Sequence, residues 1–182
     1  MFYKQTNPTL EKEGVWDEKS CVRRIGGYDL DKSNLPTDLK YILKGAALAF
    51  DKATGNVKLV KTAKVYAQAS TSDTSIKIEK GGAVKVGDKL NGSTVTAIDK
   101  ASADYDLLTV DTIAETLKVG DVITDGNEAN VIGLNYYSKK IEDFTSVTVT
   151  LQAYEIQEET LPYPVNDAIK TALTVRHAWK ID

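Results

Sequence analysis

Few side chains in this sequence could serve as nucleophiles, general bases or zinc ligands. Its 182 residues include one cysteine, Cys21, and one histidine, His177. A zinc site or a Ser/His/Asp triad would have to be built around that one imidazole. Pairing the two residues as nucleophile and base would require distant parts of the sequence to meet. We therefore predict no catalytic residue, with Cys21 a free thiol that has no partner for an internal disulfide.

Four aspartates lie close together in the sequence and are the nearest approach to a metal site. Hard cations such as Ca²⁺ bind clustered carboxylate oxygens, but the D-x-D-x-D-G-x5-E pattern of a calcium loop is missing. Lys100 also lies within the group. We interpret the group as a solvated turn between strands and predict that no metal binds at Asp99, Asp104, Asp106 and Asp111.

Two related turn sequences form an internal repeat. Lys-Val-Gly-Asp-Lys-Leu begins at Lys85, and Lys-Val-Gly-Asp-Val-Ile begins at Lys118. In each, the glycine permits unusual backbone angles and the aspartate can accept hydrogen bonds from nearby amides. Asp88 and Asp121 could alternatively be a carboxylate pair of the glycosidase type. We favour the first interpretation and predict two equivalent turns of a pseudo-symmetric barrel.

Two glycine pairs offer no binding site for a nucleotide. Gly26-Gly27 and Gly81-Gly82 are too short to hold a phosphate, and neither belongs to a recognised phosphate-binding pattern. We interpret both pairs as turns. No cofactor and no small-molecule ligand is predicted.

The charge of the chain argues against a nucleic-acid partner. The formal net charge is −3, whereas nucleic-acid-binding proteins usually carry a basic stripe. Residues 1–62 hold 11 basic and 8 acidic side chains, and residues 63–182 hold 12 basic and 18 acidic ones. The first third therefore favours an acidic partner surface. No apolar run approaches the roughly 20 residues of a membrane helix, so no membrane association is predicted.

The strand patterns predict a mainly β fold. Residues 46–50 and 57–61 form a hairpin around a turn at residues 51–56. Ile76 and Ile78 alternate with polar residues, which places both isoleucines on a buried face.

Short strands at even spacing continue through most of the chain. Between residues 63 and 126 they favour a small antiparallel β-barrel or sandwich. One short C-terminal helix is predicted over residues 166–173, with Asn166 as its N-cap.

The first part of the chain shows no regular hydrophobic period. We predict that residues 1–34 form an extended N-terminal arm, mobile in the isolated protein, and that residues 35–182 form the compact β domain. An arm of this kind becomes ordered against a partner. Aromatic and arginine side chains are common at interface hot spots. The predicted anchors of the arm are Trp16, Arg23, Arg24 and Tyr28.

Several short motifs follow one another in a distinctive order from about Leu35 onward. Besides the paired Val-Gly-Asp turns, they are Leu35-Pro36-Thr37-Asp38-Leu39-Lys40, Leu43-Lys44-Gly45-Ala46, Lys61-Thr62-Ala63-Lys64-Val65-Tyr66, Thr96-Ala97-Ile98-Asp99, Tyr105-Asp106, Leu161-Pro162-Tyr163-Pro164-Val165 and Ala168-Ile169-Lys170. The order of these motifs resembles the head fibre, auxiliary capsid and decoration proteins of tailed bacteriophages and of prophages of gut bacteria. The resemblance covers most of the chain from about Leu35 onward.

The resemblance implies a non-enzymatic structural protein of the virion. Such a protein is assembled in the cytoplasm of the host bacterium and binds the capsid exterior through contacts with major capsid protein and other virion proteins. We expect it to form a homo-oligomer. No catalytic or metal-binding residue comes with the resemblance. The alternative is a carbohydrate-binding or adhesive β-domain, which predicts an exposed aromatic row on one sheet face.

Overall fold

The computed structural model describes residues 14–142 and 145–180, and these residues form a mainly β protein with one short helix near the C-terminus. The predicted fold class is therefore confirmed. In chain order the strands are β1 (Val22–Arg23), β2 (Tyr28–Asp29), β3 (Tyr41–Ile42), β4 (Ala47–Phe50), β5 (Val57–Leu59), β6 (Thr62–Lys64), β7 (Ser75–Glu79), β8 (Lys89–Leu90), β9 (Ser93–Asp99), β10 (Tyr105–Val110), β11 (Val122–Thr124), β12 (Val131–Leu134), β13 (Lys139–Lys140), β14 (Ser146–Val147), β15 (Thr150–Ile156) and β16 (His177–Trp179).

Strands β6 to β11 form a small barrel, residues 62–124, close to the predicted range of 63–126. β7, β10, β9 and β8 make one antiparallel sheet, and β11 pairs with β6. An antiparallel bridge between Val65 and Ile78 joins the two pieces on one side. On the other side, the Asn91 N–H donates to Thr124 O (2.9 Å) and the Thr124 N–H donates to Asn91 Oδ1 (2.9 Å). The ring encloses its own hydrophobic cluster, which includes the predicted Ile76 and Ile78.

The rest of the described chain forms the body, residues 14–61 and 125–180. Its central sheet has the order β12-β4-β5, and the hairpin predicted between β4 and β5 is present. β15 pairs with β1 on one side and runs parallel to β16 on the other. Gly133 allows β12 to approach β15 closely, because a Cβ there would lie 2.1 Å from the Thr150 carbonyl oxygen. Two hydrophobic clusters fill the body.

The helix, α1 (Asp167–Leu173), begins where the sequence predicts. Asn166 has extended backbone angles, and its side-chain oxygen accepts a hydrogen bond from the Ile169 N–H at 2.9 Å. Ile169 and Leu173 lie one turn apart and are both buried in the body. Among the described residues, no helix has the length and apolarity needed to cross a membrane.

The expectation of a separate N-terminal arm is wrong for residues 14–34. Val15, Trp16 and Leu30 belong to the body's clusters. Residues 14–30, here called the edge segment, run antiparallel to residues 145–157 and exchange backbone hydrogen bonds with them along the whole length. Backbone pairing needs no hydrophobic period, which explains why the sequence pattern did not reveal the segment. Residues 1–13 of the predicted arm lie outside the described residues.

Candidate interaction surface

The edge segment carries all four predicted anchors, but only three of them reach the surface. Trp16 is 4% exposed and packs within the body, so its ring is not available to a partner. This corrects its predicted role. Arg23 and Arg24 are exposed, and Tyr28 is half-buried against Phe50, with the two ring centroids 5.5 Å apart.

Arg23 lies over two tyrosines that follow β12. Its guanidinium carbon is 5.3 Å from the Tyr136 ring centroid and 5.5 Å from that of Tyr137, and its Nη1 donates to the Tyr137 hydroxyl. The two rings meet edge to face, with centroids 4.4 Å apart. Such cation–π contacts hold a long flexible side chain in one position. Arg23 is therefore presented to solvent with little freedom left to lose on binding.

An ion pair next to these rings holds Tyr136 in position. Glu18 forms an ion pair with Lys44 and accepts a hydrogen bond of 3.1 Å from the Tyr136 hydroxyl. Burial and the neighbouring Glu18 carboxylate raise the pKa of Tyr136 to about 12, so the hydroxyl remains a donor. Burial acts to raise the pKa of Glu18, but Lys44 and Tyr136 outweigh it and leave that pKa lowered. Lys44 also lies over the Trp16 ring at 4.9 Å.

Arg24 makes a second stack. Its guanidinium carbon is 4.3 Å from the Tyr28 ring centroid, and its Nη1 donates to the Tyr28 hydroxyl. Adjacent arginines thus each rest on tyrosine, and both precede the most exposed apolar side chain of the edge segment, Ile25.

Ile25 is 95% exposed at the tip of a turn that the following glycines fix in place. Gly27 has φ +68° and a Cβ there would lie 2.8 Å from the Val147 carbonyl oxygen, so no other residue fits. The turn holds an almost fully exposed isoleucine directly after the two arginines in the chain. We call Arg23, Arg24, Ile25, Tyr28, Tyr136 and Tyr137 the arginine–tyrosine surface.

Two of the three tyrosines of this surface, Tyr136 and Tyr137, are not among the predicted anchors. Nothing in the local sequence connects them to Arg23. The connection is made by the bridge between Asn135 and Val149, which sets the tyrosines beside the partner strand of the edge segment. The adjacent pair of tyrosines is the one local signal that an exposed aromatic site was present.

The other candidate residues have separate structural partners. Among the described residues, no three His, Cys, Asp or Glu side chains are placed to hold a metal ion. Asp106 is buried and pairs with Lys80 at 3.0 Å, whereas Asp111 accepts the Thr94 N–H at 2.7 Å. Asp99 accepts the Ala101 N–H at 2.9 Å.

The histidine and the cysteine are both held in structural surroundings that do not suit catalysis. The ring nitrogens of His177 contact Thr150 Oγ1 at 3.0 Å and the Leu173 carbonyl oxygen at 3.2 Å. Burial raises the pKa of the Cys21 thiol to about 11, so the reactive thiolate is scarce at neutral pH. A catalytic pairing of Cys21 with His177, which the sequence disfavours, would require His177 to leave these contacts.

The two Val-Gly-Asp turns have the same hydrogen bonds, as the repeat predicts. Asp88 Oδ2 accepts the Lys85 N–H at 2.7 Å, and Asp121 Oδ2 accepts the Lys118 N–H at 2.7 Å. The glycines have φ angles of +92° and +90°. The two carboxylates are therefore turn residues, and only Asp88 has a lysine partner of its own among the described ion pairs.

A second aromatic feature lies on the barrel. The Tyr66 and Tyr105 rings pack with centroids 5.5 Å apart, and Lys77 Nζ is 4.7 Å from the Tyr105 centroid. A cleft of about 380 Å³ separates the barrel from the loop at residues 158–164, and Lys64 and Glu79 line it.

Comparison with protein-family models, with curated proteins and with solved structures found no match. Functional proposals for this chain therefore rest on its own residues and geometry, together with the motif resemblance described above.

Proposed function

We propose that this protein is a non-enzymatic structural protein of a phage virion, either an auxiliary or decoration protein or the base of a head fibre. It is assembled in the cytoplasm of the host bacterium and binds the capsid exterior through major capsid protein, with further contacts to other virion proteins and to copies of itself. The motif resemblance suggests this class. His177 and Cys21 both make structural contacts, and the proposal assigns neither of them a catalytic role.

The arginine–tyrosine surface is the observation that carries the proposal. It combines an isoleucine that is almost fully exposed with two arginines that are held in place by tyrosine rings. Exposed aromatic and arginine side chains of this kind are typical of interface hot spots. The excess of basic side chains in residues 1–62 favours an acidic partner surface. We therefore propose that the protein attaches to the capsid through the edge segment, which is part of the body and not a free arm.

Co-sedimentation with undecorated capsids tests this proposal. Ile25→Asp should weaken binding by about tenfold or more, because burying an isoleucine contributes about 1.5–3 kcal/mol and each 1.4 kcal/mol is tenfold. Arg23→Glu should weaken binding more at low salt than at high salt, because it reverses a charge that faces an acidic surface and salt screens that charge.

A matched control is available on the same protein. Val175 is 89% exposed in the turn after α1, away from the arginine–tyrosine surface in the sequence. Val175→Asp should leave capsid binding unchanged. Equal binding by Ile25→Asp and the original protein would show that attachment does not use this surface, and failure of the original protein to bind any capsid would contradict the proposed class.

The alternative function is carbohydrate binding or adhesion, and the Tyr66–Tyr105 pair supports it. Tyr66 is exposed, and Lys77 and Glu79 provide hydrogen-bonding groups on the same sheet. Sugars commonly stack on exposed aromatic rings. A glycan array with the purified protein distinguishes the two functions: binding that is lost in Tyr66→Ala but kept in Ile25→Asp would favour the carbohydrate function.

A further inference from the structure

The strongest unexplained feature is a lysine buried where the barrel joins the body. Lys61 follows β5 and precedes β6, and its side chain is 1% exposed. Its Nζ lies 2.5 Å from Oδ1 of Asp88, whose side chain is 10% exposed. Charged lysines are almost never fully buried, because removing the ammonium from water is costly. A buried ion pair adds little net stability, so ordinary stabilisation does not account for this lysine well.

The internal repeat shows that the turn itself does not need the lysine. Asp121 holds its turn with the same amide hydrogen bond as Asp88, and no lysine contacts it among the described ion pairs. Asp88 uses Oδ2 for the turn and leaves Oδ1 to Lys61. The lysine is therefore an addition to one of two otherwise equivalent turns, and the turn fixes the position of the carboxyl group that faces it.

A second carboxyl group lies at the same junction. Asp125 Oδ2 accepts the Lys61 backbone N–H at 3.2 Å, and the Asp125 N–H donates to the Lys61 carbonyl oxygen at 3.1 Å. Burial lowers the pKa of the Lys61 ammonium and raises the pKa of the Asp125 carboxyl. Both shifts favour the uncharged forms, namely a nucleophilic amine and a carboxylic acid that can donate a proton.

We propose that the Lys61 amino group condenses with the Asp88 carboxyl group to form an intramolecular isopeptide bond that joins the body to the barrel. The Nζ lone pair attacks Asp88 Cγ, a C–N bond forms, and a C–O bond of the carboxyl group breaks. Asp88 enters this step as the carboxylic acid, after taking one proton from the Lys61 ammonium within the ion pair, so the departing oxygen already carries a proton. It leaves as water when Asp125 donates a second proton to it, and the one proton that the amine nitrogen then loses restores Asp125. The step needs no oxidant, reductant or activated co-reactant.

Two features of the site favour condensation over hydrolysis. The reacting atoms are held in contact by the fold, which gives an intramolecular reaction a large effective concentration. Burial of Lys61 limits the access of water to the bond once it has formed. The bond would connect Lys61, where the chain enters the barrel, to Asp88 within the barrel. This inference does not depend on capsid binding.

Intact mass spectrometry of the denatured protein tests the inference directly. The expected mass is that of the sequence less one water molecule, and digestion should yield one branched peptide that contains Lys61 and Asp88. A mass equal to that of the sequence, after prolonged incubation of the folded protein at neutral pH, would overturn the proposal. Because the measurement is made on the original chain, it does not depend on the folding of any variant.

Variants then assign the bond to its residues. Lys61→Arg keeps the positive charge but should restore the full mass, and Asp88→Ala should do the same. Asp121→Ala changes the equivalent turn and should keep the loss of water. Asp125→Ala should lower the cross-linked fraction at a fixed time after purification, and an unchanged fraction would remove Asp125 from the mechanism. Loss of water in Lys61→Arg would show that the bond lies elsewhere and contradict the proposal.

Discussion

Some side chains whose types suggest a chemical role have a structural role in this protein, and His177 is the clearest example. Its ring is buried between β15 and α1, with Thr150 Oγ1 at one nitrogen and the Leu173 carbonyl oxygen at the other. Neither partner titrates, and the arrangement fits a neutral imidazole that carries its proton on Nδ1. Burial therefore lowers the pKa of His177.

This environment predicts a loss of stability in mild acid. Between the folded pKa of His177 and the unfolded value of about 6.5, the unfolded state binds more protons, so the free energy of unfolding falls as the pH decreases. Urea denaturation should show this fall between pH 7 and pH 5.5. His177→Gln should be less stable at pH 7 and should show a smaller dependence on pH over that interval. Identical slopes in the two proteins would contradict the assignment.

Among the glycines of the described residues, Gly133 has the least room for a side chain. It has no positive φ angle, yet an added Cβ would lie 2.1 Å from the Thr150 carbonyl oxygen. Gly133→Ala should lower the free energy of unfolding by about 1–3 kcal/mol or more, because β12 and β15 must separate. Gly82→Ala is the matched control, since its Cβ would meet its nearest neighbour at 3.6 Å. Thermal denaturation of both variants checks the difference.

At the scale of secondary-structure elements, the packing of the edge segment predicts that a truncation of the N-terminal residues destabilises the body. Removing residues 1–34 takes away Val15, Trp16 and Leu30 from the body's clusters and leaves the backbone of β14 and β15 unpaired on one side. We therefore expect the truncated protein to unfold or aggregate, rather than to remain folded as the sequence pattern indicated. Circular dichroism and size-exclusion chromatography provide the measurement.

A milder variant separates this effect from a general loss of solubility. Trp16→Ala should reduce the free energy of unfolding by about 3–5 kcal/mol, as for other buried aromatic residues. Tyr154→Ala, on an exposed position of β15, should change it by much less. A truncated chain that keeps the original stability would show that the edge segment is not part of the core.

The elements that the sequence predicted are those with local signals. β7 matches the predicted strand, α1 begins at the predicted Asn166 cap, and the twin turns have the predicted geometry. Hydrophobic alternation, a capping side chain and glycine conformations each act over a few residues, so they are visible in sequence. β1 and β2 are only two residues long and are defined by partners more than 100 residues away.

The candidate surface shows the same limit. The residue types of Arg23 and Arg24 identify them as anchors, whereas Tyr136 and Tyr137, on which Arg23 stacks, reach it only through long-range strand pairing. Trp16 was misplaced because an aromatic residue in a polar sequence resembles an exposed anchor until its neighbours in the fold are known.

At the scale of the whole molecule, the barrel is an insertion into the body. The chain enters it at Lys61 and leaves it at Asp125, and the backbones of these two residues are hydrogen bonded. The barrel has its own hydrophobic cluster, although Ala83 of the barrel packs in one of the body's clusters. Replacing residues 62–124 by Asn-Gly should leave a folded body, because the backbones of Lys61 and Asp125 already lie within hydrogen-bond distance and a two-residue turn can join them.

The complementary fragment should also fold. Residues 61–125 retain the complete ring of strands and its cluster, so a cooperative urea transition is expected for the isolated barrel. Nuclear magnetic resonance spectra of the two fragments should superpose on that of the whole protein except at the junction. A barrel fragment without dispersed resonances would show that its fold depends on the body.

The pairing of the edge segment with residues 145–157 has a consequence for synthesis on the ribosome. The edge segment emerges early, but its partner strand emerges more than 100 residues later. At about 5–20 residues per second, the delay is on the order of ten seconds. The barrel, whose strands are contiguous, can complete its pairing during this interval. Val15 and Trp16 meanwhile remain exposed, so the nascent chain is a substrate for chaperones until its last strands are made.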